Sequence, residues 1–392
     1  MNDRFSDIEI AFQYRSNKEL KMSKMLFSII DSSVITKMGI AFTRTSIALG
    51  LPLNAIFKKT LFRQFCGGTT LGEAGITAGK LRQYKVHSIL DYGVEGKETE
   101  AEFEKTTNNL MNAAAYAASN KIPFISMKVT GIARFSLLEK LHQKIPLSTT
   151  EEQEWELVKA RMDTICSKAA ALGVMVLIDA EETWIQDAVN IITDDMMLKY
   201  NQSKPVVFNT FQLYCSGTLA FLQQSHKEAK SKGYILGAKL VRGAYMEKEQ
   251  ARAYKNNYPD PIQKDKLSTD KDFDAAVQYC LENIPGIGLF IGTHNETSCT
   301  LAVASMQALN IPANHPHVFF SQLYGMSDHI SFNLANSGYN VAKYLPYGPV
   351  KDVIPYLLRR AEENSSIAGQ SNRELALIKR ELTRRSLIHS NA

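Results

Sequence analysis

The stretch VMVLIDAEET, residues 174–183, shows the pattern that decides the fold of this chain. It begins with a short apolar run and ends in a group of acidic residues, Asp179, Glu181 and Glu182. A run of this length, rich in branched side chains, is typical of a strand that is buried on both faces. A longer amphipathic segment follows it, so the stretch opens one unit of strand and helix.

The same unit is repeated along residues 85–370. We identify eight strand candidates: VHSIL (86–90), FISMKV (124–129), VMVLID (174–179), VVFNT (206–210), ILGAKLV (235–241), GLFIGT (288–293), HVFFSQL (317–323) and YNVAKYL (339–345). The intervals between them hold helix-length segments, and even the short interval 211–234 does. Eight units over roughly 280 residues fit a closed (β/α)8 TIM-type barrel better than an open doubly wound sheet, because such a barrel takes about 250 residues. The predicted fold class is therefore α/β.

The residues before and after this region lack the repeated strand-and-helix pattern. Residues 1–84 predict a helical arm that packs on the barrel, because apolar positions recur at helical spacing between breaks at Gly39, Gly50 and Gly67. Residues 371–392 predict a basic helical tail, and the segment after the eighth strand predicts a final helix over the barrel mouth. The expected domains are thus 1–84, 85–370 and 371–392.

The composition excludes several classes of protein. Among 392 residues, 45% are hydrophobic and 22% are charged, which excludes a disordered or coiled-coil chain. The five cysteines form no CxxC pair, so neither a disulfide scaffold nor a zinc knuckle is expected, and a reducing compartment is the natural setting. We expect no metal site.

The net charge of +5 is unevenly distributed. Residues 1–84 carry 12 basic against 6 acidic side chains and residues 371–392 carry 5 against 2, whereas the region between them carries 28 against 32. An acidic central region argues against a nucleic-acid partner, and the basic ends fit an anionic membrane surface. The alternative for these ends is a packed arm with solvated charges. No transmembrane span or leader peptide is recognised in 1–57, so we expect a cytoplasmic protein, with peripheral contact at the inner face of the cell membrane as the extension of that prediction.

Polar residues stand at nearly every predicted strand end, where the active site of such a barrel lies. In chain order these residues are Asp91 and Tyr92; Lys128; Asp179, Glu181 and Glu182; Asn209 and Thr210; Lys239 and Arg242 to Tyr245; Thr293 to Asn295; Gln322; and Tyr344, Tyr347 and Gly348. A single charged residue at a strand end is often only solvated. Repetition at successive ends is what an active site predicts.

The pair Arg359 and Arg360 lies in PYLLRRAEEN (355–364), which we interpret as the end of an amphipathic helix. Cations there could simply complement the helix dipole. The helix follows the eighth strand directly, however, so the pair is placed to meet an anionic substrate, and arginine suits bidentate recognition of a carboxylate. Glu363, one helical turn further on, is expected to hold the two guanidinium groups.

Four segments resemble the proline dehydrogenase (proline oxidase) family: GAKLVRGAYMEKE (237–249), GTHNE (292–296), SQLYGMSD (321–328) and YNVAKYLPYGPVKDVIPYLLRRAEENSS (339–366). SMKVTG (126–131) and LIDAEET (177–183) extend the resemblance upstream. The sequences of these segments are similar to those of the single-function, eukaryote-like branch of the family. The resemblance implies a barrel that holds FAD noncovalently, oxidises L-proline to Δ1-pyrroline-5-carboxylate and passes electrons to a membrane quinone, with subunit number left open.

The resemblance also implies roles for individual residues. Lys128, Arg359 and Arg360 match carboxylate-binding residues, Tyr245, Leu323 and Tyr344 match a wall around the substrate ring, and Asp179 and Glu363 match acids that orient the cations. The implied flavin contacts are Asn209, Lys239, Val241, Gly243, Ala244, Thr269, Thr293, His294, Asn295 and Gln322. Three positions depart from some members of the family: Lys239 replaces Arg, Met246 replaces Trp and Asn209 replaces Gln.

Three other functions stay open at this stage. A hydroxyproline dehydrogenase would share the fold, an aldolase would use Lys128 as a Schiff-base lysine, and a noncatalytic barrel would use neither chemistry. A flavin spectrum in the purified protein would exclude the last two. Tyr344 favours proline over its 4-hydroxy relative, because the resemblance sets this bulky phenol beside the ring carbon that would carry the hydroxyl.

Overall fold

A computed structural model describes residues 4–31, 60–93, 96–366 and 370–390 of the chain. Its eight strands close into a parallel barrel in sequential order, which confirms the predicted fold class. The strands are β1 (Val86–Tyr92), β2 (Phe124–Lys128), β3 (Met175–Asp179), β4 (Val207–Gln212), β5 (Leu236–Val241), β6 (Ile287–Gly292), β7 (Val318–Leu323) and β8 (Val341–Tyr347). Each strand candidate corresponds to one of them, with ends that differ by a few residues. Because all strands run the same way, their carboxyl ends form one rim of the barrel.

The helices fill the intervals between strands, as the sequence predicts. Before the barrel come α1 (Ile8–Phe12), α2 (Asn17–Ile30), α3 (Leu61–Phe65) and α4 (Leu71–Arg82). Between strands lie α5 (Glu100–Ser119), α6 (Phe135–His142), α7 (Thr149–Ala171), α8 (Thr183–Tyr200), α9 (Thr218–Lys232), α10 (Met246–Asn256), α11 (Lys266–Glu282), α12 (Glu296–Ala308) and α13 (Asp328–Asn336). The chain continues with α14 (Val350–Ser366) and α15 (Gln370–Ser390).

Aromatic rings fill the barrel interior at mid-height. The ring of Phe290 on β6 lies 4.8 Å from that of Phe124 on β2, 5.3 Å from that of Phe208 on β4 and 5.0 Å from that of Phe319 on β7. Strands β2, β4 and β6 are not neighbours in the barrel, so rings that meet from them must point inward. Since side chains alternate along a strand, this assignment tells which residues nearer the rim also face inward.

The contacts within the chain divide it into two compact units. One unit comprises Ile89–Ser321 and Gly338–Ala342, and the other comprises Met1–Ser88, Gln322–Ser337 and Lys343–Ala392. The second unit has its own apolar core, in which Phe12, Phe27 and Phe65 are buried with Leu357 and Ile378. The predicted boundaries at 84/85 and 370/371 and the position of the final helix over the barrel mouth stay predictions.

Two sequence predictions fall partly on residues outside the described ranges. The break at Gly39 and that at Gly50, with most of the segment 25–57 that we searched for a transmembrane span, belong to residues 32–59. Within the described ranges, no helix is both long and apolar enough to cross a membrane.

Candidate active site

Two lysines and two aspartates meet inside the barrel at the carboxyl rim. The Nζ of Lys128, at the end of β2, lies 3.6 Å from the Oδ2 of Asp179 at the end of β3. Lys239 on β5 donates to the other carboxylate oxygen of Asp179. Ser126 donates to Asp91 of β1 over 2.9 Å. The contact from β5 to β3 skips β4, so this cluster lies on the inner side of the strands.

The two carboxyl groups of this cluster are not equivalent. Burial raises the pKa of Asp91, and the nearby Asp179 adds to that rise, while Lys128 and the Ser126 hydroxyl oppose it. Asp179 in contrast sits between two ammonium groups. The site therefore holds one carboxylate, Asp179, that orients two cations, and a second acid, Asp91, whose pKa burial raises. Asp91 was noted only as a strand-end residue in the sequence, and its signal was an acid directly after the apolar run VHSIL.

The pairing of Lys128 bears on the aldolase alternative. A Schiff-base lysine must attack as a neutral amine, usually in a pocket without a carboxylate partner. The ammonium of Lys128 instead faces Asp179 at 3.6 Å and is mostly buried. This arrangement suits recognition of a substrate carboxylate better than imine formation.

The predicted flavin residue Asn209 faces away from the cluster. Its amide donates to Asn190 on α8 over 2.9 Å, and its oxygen accepts from the backbone of Thr210. Phe208 points inward, so alternation along β4 sends Asn209 toward the helices and Gln212 inward. Gln212 is buried and donates to the carbonyl of Glu181. The structure thus does not bring Asn209 together with the rim residues, and Gln212, which sequence reasoning missed, holds the inward position. Side-chain alternation followed to the last residue of β4 would have identified Gln212 as an inward residue.

The turn after β5 combines several predicted flavin residues, Val241, Gly243 and Ala244. Gly243 adopts φ +142°, and a Cβ there would lie 2.4 Å from the ring of Tyr214. Only glycine fits both the backbone conformation and the close approach of this ring. The turn ends at Tyr245, the residue directly before α10.

The position of α10 is fixed by a buried carboxylate. Glu249 is fully buried and accepts from the backbone nitrogen and the hydroxyl of Thr183, at 2.7 and 2.6 Å. Thr183 begins α8, so Glu249 supplies the negative charge that the amino end of α8 favours. Burial raises the pKa of Glu249, and the two bonds from Thr183 oppose that rise. These two hydrogen bonds hold the start of α10, and with it the preceding residue Tyr245, against α8.

Arg242 organises the end of β6. Its guanidinium donates to Asp270, to the hydroxyl of Thr293 over 2.7 Å and to Ser298 over 2.9 Å, and it lies on the ring of Phe273. Thr293 is buried, and the half-buried His294 and Asn295 follow it. The side-chain oxygen of Asn295 caps α12 through the backbone of Thr297 and Ser298. Thr269 is buried on α11.

The second unit holds the other predicted residues of the site. Gln322 and Leu323 end β7, and alternation from the inward Phe319 turns Leu323 inward and Gln322 toward the helices. Gln322 there accepts a hydrogen bond of 2.8 Å from the Ser331 hydroxyl on α13. Tyr344 on β8 is buried, and its carbonyl accepts from the backbone nitrogen of Tyr324 over 2.9 Å. The backbone thus joins the two predicted ring-wall residues Leu323 and Tyr344 through neighbouring strand ends.

Arg359 and Arg360 lie on α14 of the second unit. Arg360 is buried, and its guanidinium lies 5.0 Å from the ring centre of Tyr356. The helix runs to Ser366, so the pair lies in its C-terminal half as expected, and its last turn contains no basic residue. The dipole explanation for the pair weakens accordingly, because that effect is confined to the terminal turn. The side chain of Glu363 lies outside the described part of the structure.

No group of three or more His, Cys, Asp or Glu side chains suited to a metal ion occurs among the residues that the structure describes. All five cysteines are buried as free thiols.

Comparison with known proteins identifies the family of the chain. A family profile described as proline dehydrogenase matches residues 74–373. Proline dehydrogenase 1, mitochondrial, of Dictyostelium discoideum is 31% identical, over 98% of this chain and 76% of the relative. Hydroxyproline dehydrogenase of Xenopus laevis is 34% identical, over 84% of this chain and 78% of the relative.

Among solved structures, proline utilization A (PutA) from Bdellovibrio bacteriovorus, inactivated by N-propargylglycine, superposes with a TM-score of 0.72 over 92% of this chain, at 20% identity. The match spans 38% of that much longer chain. At this identity the likeness supports the fold.

Proposed function

Because the chain belongs to the proline dehydrogenase family, we propose that it oxidises L-proline to Δ1-pyrroline-5-carboxylate, with FAD as a noncovalent cofactor and a quinone as the electron acceptor. The observation that carries this proposal is the cluster of Lys128, Asp179 and Lys239 at the inner rim of the barrel. Proline is a small zwitterion with an apolar ring. Its site needs cations for the carboxylate and an apolar wall for the ring, beside a flat oxidised cofactor.

The residues at the rim fit a flavin. The turn at Gly243 exposes backbone without a Cβ, and Lys239 supplies a buried cation near it in the chain. We propose that Lys239, Val241, Gly243, Ala244, Thr269, Thr293, His294 and Asn295 hold the cofactor, with Gln212 as the inward residue of β4 in place of Asn209. Gln322, which alternation also turns toward the helices, would support the end of β7 from outside. When bound, FAD would supply the acceptor for the hydride that leaves the substrate ring.

The chain's own residues then have distinct tasks in this proposal. Lys128 binds the substrate carboxylate together with Arg359 and Arg360, and Asp179 holds Lys128 and Lys239 in place. Tyr245, Leu323 and Tyr344 pack against the ring and exclude water, and Glu363 orients the arginines. Positioning of this kind lowers the barrier by fixing the substrate before reaction.

Anaerobic addition of L-proline to the purified protein tests the proposal. We expect a yellow protein whose flavin absorbance bleaches with proline and recovers when a quinone is added. A colourless protein that also fails to take up added FAD would contradict the cofactor, and a flavin that stays oxidised with proline but is reduced by another amino or hydroxy acid would contradict the substrate.

Hydroxyproline is the second candidate substrate, because a hydroxyproline dehydrogenase is among the close relatives. Tyr344 separates the two: its phenol should crowd a 4-hydroxyl group. A pocket without a dedicated partner rejects an added hydroxyl by only about a hundredfold, so some activity on hydroxyproline should remain. Tyr344→Ser should lower kcat/KM for proline and narrow or reverse the preference. A wild-type protein that prefers trans-4-hydroxyproline would reverse the assignment.

We also propose that the basic ends bring the protein to the membrane that contains its quinone. Their supporting feature is α2, whose exposed face combines Lys18 and Lys21 with Met22, Met25 and Ile29. The Dictyostelium relative is named mitochondrial, which does not fit a plain cytoplasmic location. In place of a plain cytoplasmic location, we therefore propose that the protein acts while attached peripherally to the membrane that contains its quinone.

A further inference from the structure

A lysine is buried on the outer side of the barrel next to the predicted substrate wall. Lys343 on β8 is 0% exposed. Its neighbour Tyr344 belongs to the opposite face of the strand, because side chains alternate. The Nζ of Lys343 pairs with the Oδ1 of Asp328 at 2.9 Å. Asp328 begins α13, directly after the loop that follows β7.

The ammonium of Lys343 also holds that loop by its backbone. Its Nζ donates to the carbonyl of Met326 over 2.5 Å and to the carbonyl of Leu323 over 3.3 Å. Leu323 is one residue of the predicted substrate wall, and the backbone of the next residue, Tyr324, donates to the carbonyl of Tyr344. One buried cation thus fixes the ends of both strands that carry this wall.

Residues from the start of the chain complete the site of Asp328. The hydroxyl of Tyr14 donates to its Oδ2 over 2.8 Å, and the guanidinium of Arg15 lies 3.1 Å from the same oxygen. The ring of Tyr14 stacks on Phe332 of α13 at 4.4 Å. Tyr14 and Arg15 lie outside residues 74–373, the part that matches the family profile.

The loop 324–327 is fastened at further points. Gln64 on α3 donates to the carbonyl of Gly325 over 2.7 Å, and the backbone of Ser327 donates to Glu374 on α15 over 2.5 Å. Gly325 and Ser327 both have positive φ, at +80° and +51°. Ser327 is not glycine, so its conformation carries strain that the surrounding contacts must hold.

This network is costly to bury. Burial lowers the pKa of Lys343, and the negative charge of Asp328 opposes this decrease. Burial by itself raises the pKa of Asp328, but the positive charges of Lys343 and Arg15 outweigh that effect and lower it. Apolar replacements of a buried ion pair are often neutral or stabilising, so stability alone is a weak reason for such a network. Its carbonyl contacts supply another reason, which is the placement of one particular loop.

We propose that Lys343 is a positioning residue for the substrate wall: it fixes Leu323 and Tyr344 through the backbone, and Tyr14 and Arg15 keep it in place by completing the contacts of Asp328. The proposal rests on the proposed function, since it assigns Leu323 and Tyr344 to the wall. It adds that the N-terminal segment, far away in sequence, tunes how the substrate ring is held.

Tyr14→Phe is the mildest test, because it removes the hydrogen bond to Asp328 and the one that the Nε of Arg15 donates to the same hydroxyl, and keeps the ring on Phe332. We expect KM for proline to rise about threefold to tenfold, with kcat changed less than about twofold, flavin content unchanged and a smaller preference for proline over trans-4-hydroxyproline. Lys343→Met should act in the same direction and more strongly. Hydrogen exchange of peptides covering 321–328 should become faster, while exchange in β4 to β6 stays as in wild type.

Tyr84→Phe is the matched control, since the Tyr84 ring packs on the same Phe332 at 6.1 Å. It should leave KM and exchange at 321–328 unchanged. If Tyr14→Phe folds and lowers only the melting temperature, with KM and the substrate preference as in wild type, the positioning role is refuted and the network serves stability. A higher KM without faster exchange at 321–328 also refutes it. A wild-type flavin that proline does not reduce refutes the proposed function instead, so the two failures are distinguishable.

Discussion

At the scale of single residues, the arginine pair of α14 gives a direct test of carboxylate recognition. Hydrogen bonds to a charged group contribute about 1.5–3 kcal/mol each, and lysine cannot replace a bidentate guanidinium. Arg359→Lys and Arg360→Lys should each raise KM for proline by about tenfold to a hundredfold while flavin stays bound. Steady-state kinetics with a flavin absorbance spectrum measure both quantities.

The control for these variants is Lys351→Ala, which removes an exposed cation from the first turn of the same helix. It should leave KM within about twofold of wild type. Near-normal KM values in both arginine variants would mean that the pair serves the packing of α14, for example through Arg360 on the ring of Tyr356.

Gly243 permits a second test at this scale. Gly243→Ala would strain a backbone at φ +142° and push a methyl group into the ring of Tyr214. We expect the purified variant to lose most of its flavin and about 1–3 kcal/mol of unfolding free energy. Gly233→Ala is the control, because that glycine also has positive φ, +75°, but has open space around its Cα. It should be destabilised by about 1 kcal/mol and keep its flavin. Equal flavin loss in both variants would contradict a specific role of the turn.

At the scale of elements, α8 and α9 bring together acids that should make stability depend on pH. Asp194 on α8 is largely buried, and burial together with Glu228 of α9 raises its pKa to about 7. An unfolded aspartate has a pKa of about 3.9, so between pH 4 and 7 the folded state binds more protons. Stability is therefore lost as pH rises through this window.

Asp194→Asn should remove this loss, because the amide resembles the protonated acid. We expect its free energy of unfolding to exceed that of wild type by about 1–3 kcal/mol at pH 8 and to match it near pH 4, measured by urea unfolding. Asp195→Asn removes an exposed neighbouring charge that adds to the rise of the Asp194 pKa, so it should stabilise at pH 8 by less than Asp194→Asn does and match wild type near pH 4. A constant difference across pH for Asp194→Asn would exclude titration as the cause.

The start of a helix is a feature that the local sequence specifies well. Ser148 and Glu151 form the capping box that begins α7. Capping contacts act over three or four residues, so the start of a helix can be predicted from the local sequence.

At the scale of the whole molecule, the uneven charge predicts selective binding to anionic vesicles. Lys21 and Lys24 of α2 and Arg385 of α15 line a groove of about 550 Å³, beside the half-exposed Met25. Each cation near an anionic surface contributes about 1 kcal/mol, so Lys21→Glu with Lys24→Glu should weaken sedimentation with anionic vesicles more than tenfold at low salt. The same reversal at the exposed Lys255 and Lys264 should have little effect. Equal binding to anionic and neutral vesicles would contradict the electrostatic attachment.

The sequence by itself determined the barrel and its family. Eight apolar runs at regular spacing predicted eight parallel strands, because periodicity and run length are local properties that burial imposes on each strand. The strand ends indicated Lys128, Asp179 and Lys239 as site residues because parallel strands end at one rim. The family profile confirmed the resemblance carried by the segments around Arg242 and Arg359.

Only the tertiary structure decided which side chains meet. Asn209 and Gln212 are three residues apart, and the inward rings of the barrel show which of them faces the rim. In the sequence, nothing distinguishes Lys343 from other residues of a strand. Only the folded chain brings Asp328 to Lys343, and Tyr14 and Arg15 to Asp328. Contacts between residues over three hundred positions apart leave no periodic trace in the chain, because each depends on the packing of all the elements between them.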